Sequence, residues 1–88
     1  MEAVMRGHGL TMGDFSAIAA IARLDDGGGV PQVRLMQELG LTSGTVSVRI
    51  NRLVQRGWAH STPDPDDRRG SRVRLAPAGR RAFDRAAP

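Results

Sequence analysis

Leu35-Met36-Gln37-Glu38-Leu39-Gly40-Leu41-Thr42-Ser43-Gly44-Thr45-Val46-Ser47-Val48-Arg49-Ile50-Asn51-Arg52-Leu53-Val54 is the stretch on which the fold turns. Gly40 follows Leu39 at the place where a left-handed residue ends a helix. Thr42 is a good N-cap for a second helix. Val46, Ile50, Leu53 and Val54 then fall at i, i+4, i+7 and i+8, a one-sided apolar stripe. Gly57 closes this helix, so it runs from Thr42 to Arg56. Two short helices meeting at a glycine turn, locked by Leu35, Leu39, Leu41, Val46 and Ile50, make a helix-turn-helix.

The polar side of the second helix carries Ser43, Gly44, Thr45, Ser47, Asn51 and Arg52. Small and hydrogen-bonding residues make a slim front, and the DNA major groove, about 12 Å wide, requires one. The helix N-terminus also suits a phosphate. A helix that only meets solvent more often carries Glu and Lys there.

Downstream, the hydrophobic period changes. Trp58 to Thr62 reads as a strand. Pro63-Asp64-Pro65-Asp66-Asp67 is a turn run that no helix tolerates. Arg72-Val73-Arg74-Leu75 alternates charge and apolar, the pattern of a half-buried strand. The expected hairpin has a long tip, with Val73 and Leu75 inward and both arginines in solvent. Arg68, Arg69 and Arg72 lie at or beside the tip, where guanidinium groups suit the negative potential of a minor groove. Ala76-Pro77-Ala78-Gly79 opens a final helix.

Upstream, residues 1–9 read as a flexible lead-in, and residues 10–88 as one domain. Thr11 and Asp14 have capping-box spacing, and Leu10 with Phe15 forms a hydrophobic staple. A helix follows from Met12 to Leu24, with Ile18, Ala19, Ala22 and Leu24 on its apolar stripe. Asp25-Asp26-Gly27-Gly28-Gly29 ends it. A short helix from Pro31, favoured at N1, to Leu39 puts Val33, Leu35, Met36 and Leu39 on its apolar face. The fold class is therefore mainly α with a small β-hairpin, an α+β winged helix-turn-helix.

With 88 residues the chain builds one small core. It holds no cysteine, which excludes disulfides and thiolate metal sites. No apolar run approaches the roughly 20 residues that span a bilayer, and no signal-peptide core follows Met1. A cytoplasmic protein with no membrane partner, no metal and no cofactor is expected. Charge is unevenly spread. Residues 1–42 hold three Arg against five acids, whereas residues 43–88 hold ten Arg against four. The basic half is the footprint of a polyanion binder.

Residues 41–81 resemble the winged helix of the multiple antibiotic resistance regulator (MarR) family. The resemblance rests on Leu53-Val54-Gln55-Arg56-Gly57-Trp58, on Pro63-Asp64-Pro65-Asp66-Asp67-Arg68-Arg69-Gly70, and on Val73-Arg74-Leu75-Ala76-Pro77-Ala78-Gly79. With Gly9-Leu10-Thr11 through Leu24 it covers about residues 9–85. It implies a recognition helix over Thr42–Arg56, with Ser43, Gly44, Thr45 and Ser47 facing bases or nearby phosphates. It implies wing contacts by Arg68, Arg69 and Arg72, with Asp67 bracing the wing through an ion pair to an arginine. It further implies a repressor that binds a pseudo-palindromic operator in double-stranded DNA as a homodimer and releases it on meeting a small-molecule inducer.

The sequence departs from the family in places. Val48 stands where many relatives carry Arg, and Arg49 where they carry an aliphatic residue, so a base contact is either lost or moved to Arg49. Ala76 replaces the usual Thr cap, at a cost of about 1 kcal/mol to the last helix. Nine residues precede Leu10 and seven follow Arg81, so the sequence reads as a shortened regulator lacking the usual dimerisation helices, as a fragment of a longer one, or as a domain that dimerises differently.

Two other function classes are open. His60 with Asp64, Asp66 and Asp67 could be drawn as a metal or acid–base cluster, but the two prolines make these turn-formers first, and no enzyme is expected. The alternative is a winged-helix protein–protein interaction module without DNA binding, since fold does not fix function. RNA binding lacks its usual stacking aromatics.

Overall fold

The structure, a computed structural model, describes residues 11–86. Its elements are α1 (Met12–Leu24), β1 (Val30–Pro31), α2 (Gln32–Leu39), α3 (Ser43–Gln55), β2 (Ala59–Asp64), β3 (Asp67–Leu75) and α4 (Pro77–Ala86). The three strands form one antiparallel sheet in the order β1-β3-β2.

α1 begins as its sequence dictates. The Thr11 hydroxyl accepts from the Asp14 N–H at 3.1 Å, and the Asp14 carboxylate accepts from the Thr11 N–H at 3.1 Å. Leu10 and the lead-in 1–9 lie outside the described residues. Phe15 stacks on Phe83 of α4, with ring centroids 6.0 Å apart. The buried stripe of α1 is Ala17, Ile18, Ala20 and Ile21. It is rotated from the expected set, because Ala19 and Ala22 are only half-buried.

Pro31 is not the first residue of α2 but its N-cap, in extended conformation, and it pairs with Arg72 across the sheet. The third strand was not anticipated. Two residues give no readable period, and a proline argues against a strand except at an edge. Its position in α2 leaves Val33 outside the core, 58% exposed, and Leu35 carries the burial. Gly40 ends α2 at φ 66°, the left-handed region open to glycine. Thr42 caps α3, its hydroxyl accepting from the Thr45 N–H at 3.3 Å. Val46, Ile50 and Leu53 are buried as expected, whereas Val54 is 39% exposed.

The hairpin also differs from expectation. The strands continue to Asp64 and resume at Asp67, so only Pro65 and Asp66 form the turn. Prolines and acids fit because the register shifts: Asp64 faces Asp67, yet Pro63 faces Ser71. Arg68, Arg69 and Gly70 are thus extra residues on β3, a bulge that absorbs the irregularity.

One core joins Ile18 and Ile21 of α1, Leu35 of α2, Val46, Ile50 and Leu53 of α3, Val30 and Val73 of the sheet, and Ala82 of α4. α4 closes on the Trp58 carbonyl, which accepts from the Ala76 N–H at 3.0 Å. Gly79 lies so close to that carbonyl that no side chain fits.

Candidate nucleic-acid interface

α3 turns about 100° per residue, and its buried Val46, Ile50 and Leu53 fix which residues face outward. Opposite them fall Gly44, Val48, Asn51 and Gln55, all exposed. Val48 is 68% exposed, and a Cβ on Gly44 would meet nothing within 4 Å. Gln55 was missed by the sequence reading, although it lies one turn beyond Asn51. Thr45 is exposed at the first turn, and its hydroxyl accepts from that of Thr42 at 3.0 Å.

The two flanks of α3 differ. On one side Ser43 and Ser47 line an open cleft with Gln32, Val33 and Met36 of α2 and with Asp67, Arg69, Gly70 and Ser71 of the wing. The cleft volume is about 310 Å3. Ser47 is half-buried, and its hydroxyl accepts from Gln32 Nε2 at 2.7 Å. Ser43, Ser47 and Arg69 therefore share one surface.

On the other side Arg49 and Arg52 turn toward α1. The Arg49 guanidinium lies over Gly13, where a Cβ would come within 2.7 Å of Nη1. Arg52 donates from Nε to both oxygens of Asp14, at 2.9 Å each. Asp14 is 2% exposed and the Arg52 side chain 39%. Arg52, expected among the DNA contacts, is thus held in an ion pair that fastens α3 to the start of α1. Sequence reading found the local capping role of Asp14 but not this partner 38 positions away.

The wing arginines separate into two kinds. Arg68 and Arg69 are exposed on the bulge, and neither has an ion-pair partner among the described residues. Arg72, expected to touch DNA, is paired with two wing carboxylates and braces the hairpin. Its Nε donates to Asp64 at 3.1 Å and its Nη2 to Asp66 at 3.0 Å. Asp67, expected to brace through an ion pair, accepts the Arg69 backbone N–H at 3.0 Å and so shapes the bulge without an arginine side chain. The Asp64 carboxyl is held below its ordinary value. The Asp66 N–H bonded to it is the main cause; burial opposes, and the hydrogen bond and charge of Arg72 add to the lowering. Asp64 and Asp66, drawn beside His60 as a conceivable acid–base cluster, are engaged in this brace.

At the base of the hairpin, Arg56 lies over the Trp58 ring, 5.5 Å from its centroid. Trp58 also borders a shallow groove with Ala78, Arg81, Ala82 and Arg85. No helix of the described residues is long and apolar enough to cross a membrane.

Comparison with known proteins agrees with this geometry. The MarR family model matches residues 8–70. The multiple antibiotic resistance protein MarR of Salmonella typhimurium is 35% identical over 52 residues, covering 59% of this chain and 36% of that protein. The transcriptional regulator PcaV of Streptomyces coelicolor, solved with its natural ligand, superposes with TM-score 0.78 at 27% identity, over 88% of this chain and 52% of that one. A mutant MarR of E. coli, solved with operator DNA, has the same fold with TM-score 0.86 at 24% identity, over 97% of this chain and 59% of that one. The sequence spans about a third of the curated relatives and just over half of these solved chains. A family match over residues 8–70, on a three-helix head with a braced wing, shows that the chain belongs to the MarR family of winged-helix transcriptional regulators.

Proposed function

We propose that this chain binds double-stranded DNA sequence-specifically, with α3 in the major groove and the wing over the adjacent minor groove, and that it acts as a repressor. The observation that carries the reading is the shared surface of Ser43, Ser47 and Arg69. It joins the slim N-terminal half of α3 to a wing whose two exposed guanidinium groups lack carboxylate partners among the described residues. Gly44, Val48, Asn51 and Gln55 form the advancing edge. Gly44 lets the helix approach closely, Val48 suits a thymine methyl, and Asn51 and Gln55 have the amides that pair with adenine. Ser43 and Thr45 sit at the helix N-terminus, where phosphates are favoured. Arg68 and Arg69 carry the minor-groove and phosphate contacts. Arg49 flanks the helix toward the N-terminus of α1, within reach of a phosphate and away from the base-facing edge.

The solved complex of the E. coli relative with operator DNA supports this reading, as does that of the M. tuberculosis regulator MOSR with DNA. Pairing of two copies on a pseudo-palindromic operator and release by a small-molecule inducer belong to the same proposal. PcaV with its natural ligand supports the second of these.

The test is fluorescence anisotropy of the chain with labelled DNA from upstream of its own gene, against a scrambled duplex, at about 150 mM salt. Clear preference for the native duplex is expected, and the stoichiometry reads whether one chain or two bind. No binding to either duplex, even at low salt, sinks the proposal in favour of a protein-contact module.

A further inference from the structure

Gln32, the first residue of α2, lies between the reading helix and the wing. Its Nε2 donates to Ser47 Oγ of α3 at 2.7 Å, and its Oε1 accepts from Ser71 Oγ of β3 at 2.9 Å. A carboxamide has both a donor and an acceptor, so it can join two hydroxyls that lie too far apart to meet. We propose that Gln32 is a positioning residue that ties α3 to the wing and so sets the separation at which the two present themselves to DNA. The proposal rests on the DNA-binding reading and goes beyond it.

The location of Ser71 explains why such a tie is needed. Ser71 follows the bulge that carries Arg68 and Arg69, and it faces Pro63 across the hairpin. The bulge interrupts the ladder immediately on the tip side of this pair. The outer wing is therefore weakly held along β2. Gln32 gives it an anchor from the opposite side, at the junction between the sheet and the bulge. The same carboxamide holds Ser47, one turn after Ser43 on the cleft flank of α3. β1 strengthens the arrangement, because Pro31, the residue before Gln32, is itself paired with Arg72. A shift of the wing is thus transmitted to the reading helix through one side chain.

The test compares wild type with Gln32→Leu, Ser71→Ala and the double variant. Gln32 is half-buried at a helix end, and the freed hydroxyls line an open cleft where water can reach them, so the thermal midpoint should stay close to wild type. Amide hydrogen exchange at residues 68–71 should rise roughly three- to tenfold, the span set by loss of a neutral hydrogen bond. Preference for the native over the scrambled duplex should fall by a similar factor, with affinity for the scrambled duplex and the salt dependence unchanged. Ser71→Ala should behave alike, and the double variant should add nothing. Unchanged exchange in Gln32→Leu overturns the tie whatever DNA does. Equal loss on both duplexes overturns the positioning role and makes Gln32 an ordinary backbone contact. A wild-type chain that prefers neither duplex, by contrast, overturns the DNA-binding reading.

Discussion

Replacing Arg52 by Ala separates a brace from a DNA contact. In the folded chain both oxygens of Asp14 accept from Arg52 Nε at 2.9 Å, and one also accepts the Thr11 N–H. Truncation leaves a carboxylate at 2% exposure with only its capping bond. Breaking a fully buried ion pair costs about 3–5 kcal/mol. The Arg52 side chain is 39% exposed, so water enters the vacated space, and we reduce the cost to about 2 kcal/mol. For a domain of this size that lowers the melting midpoint by about 8–16 °C. Asp14→Ala also forfeits the reciprocal half of the capping box, the bond from the Thr11 N–H, about 0.5–1.5 kcal/mol. The double variant should be no less stable than Arg52→Ala alone, because it leaves no orphaned charge. The assay is thermal denaturation followed by circular dichroism on the two single variants and the double. An unchanged midpoint for Arg52→Ala, together with a large loss of DNA affinity, would refute the reasoning and return Arg52 to the DNA-facing set.

Three other outcomes are expected. Arg69→Ala should weaken binding to native and scrambled duplexes alike and reduce the salt slope by about 1; an unchanged slope in salt titrations contradicts the wing assignment. Gly79→Ala should destabilise the fold by about 1–3 kcal/mol or more, because its Cβ would press on the rigid Trp58 carbonyl; urea denaturation reads this directly. The Asp64 carboxyl is lowered from 3.8 by the Asp66 N–H and by Arg72. Its contribution is therefore fully present above that value and is lost as pH falls through the lower folded pKa. Acid titration of wing amide resonances should show the step, and Asp64→Asn should abolish it.

Much of the fold was legible because its signals are local. Thr11 with Asp14, Thr42 with the stripe Val46-Ile50-Leu53, and Gly40 each act within a few residues, and each stands where the sequence put it. What the sequence hid depends on partners far along the chain. Asp14 reads as a cap; its bond to Arg52 exists only once α1 crosses α3. Arg72 reads as one more wing arginine, and only the short turn at Pro65-Asp66 brings Asp64 and Asp66 to it. An acid among the wing arginines, Asp67 reads as their ion-pair partner, but a bulge needs its backbone N–H groups held, and that is the bond Asp67 makes. β1 was invisible because two residues carry no period. For the site, the outward face of α3 could be read from its inward one, which also identifies Gln55. Gln32 carried no signal, being a polar residue at a helix start whose meaning comes from two serines brought to it by folding.

The sheet has a proline on each of its outer strands, Pro31 on β1 and Pro63 on β2, while β3 lies between them. An outer strand normally offers a row of unused amide donors to any extended chain that drifts past. Here β1 is two residues long and one of them has no donor, and β2 carries Pro63 one residue from its end. A hairpin that projects an arginine-rich tip into solvent is thereby poorly suited to recruiting a stray strand or stacking on another copy edge to edge. The same residues that shape the wing keep it from becoming a seed for aggregation.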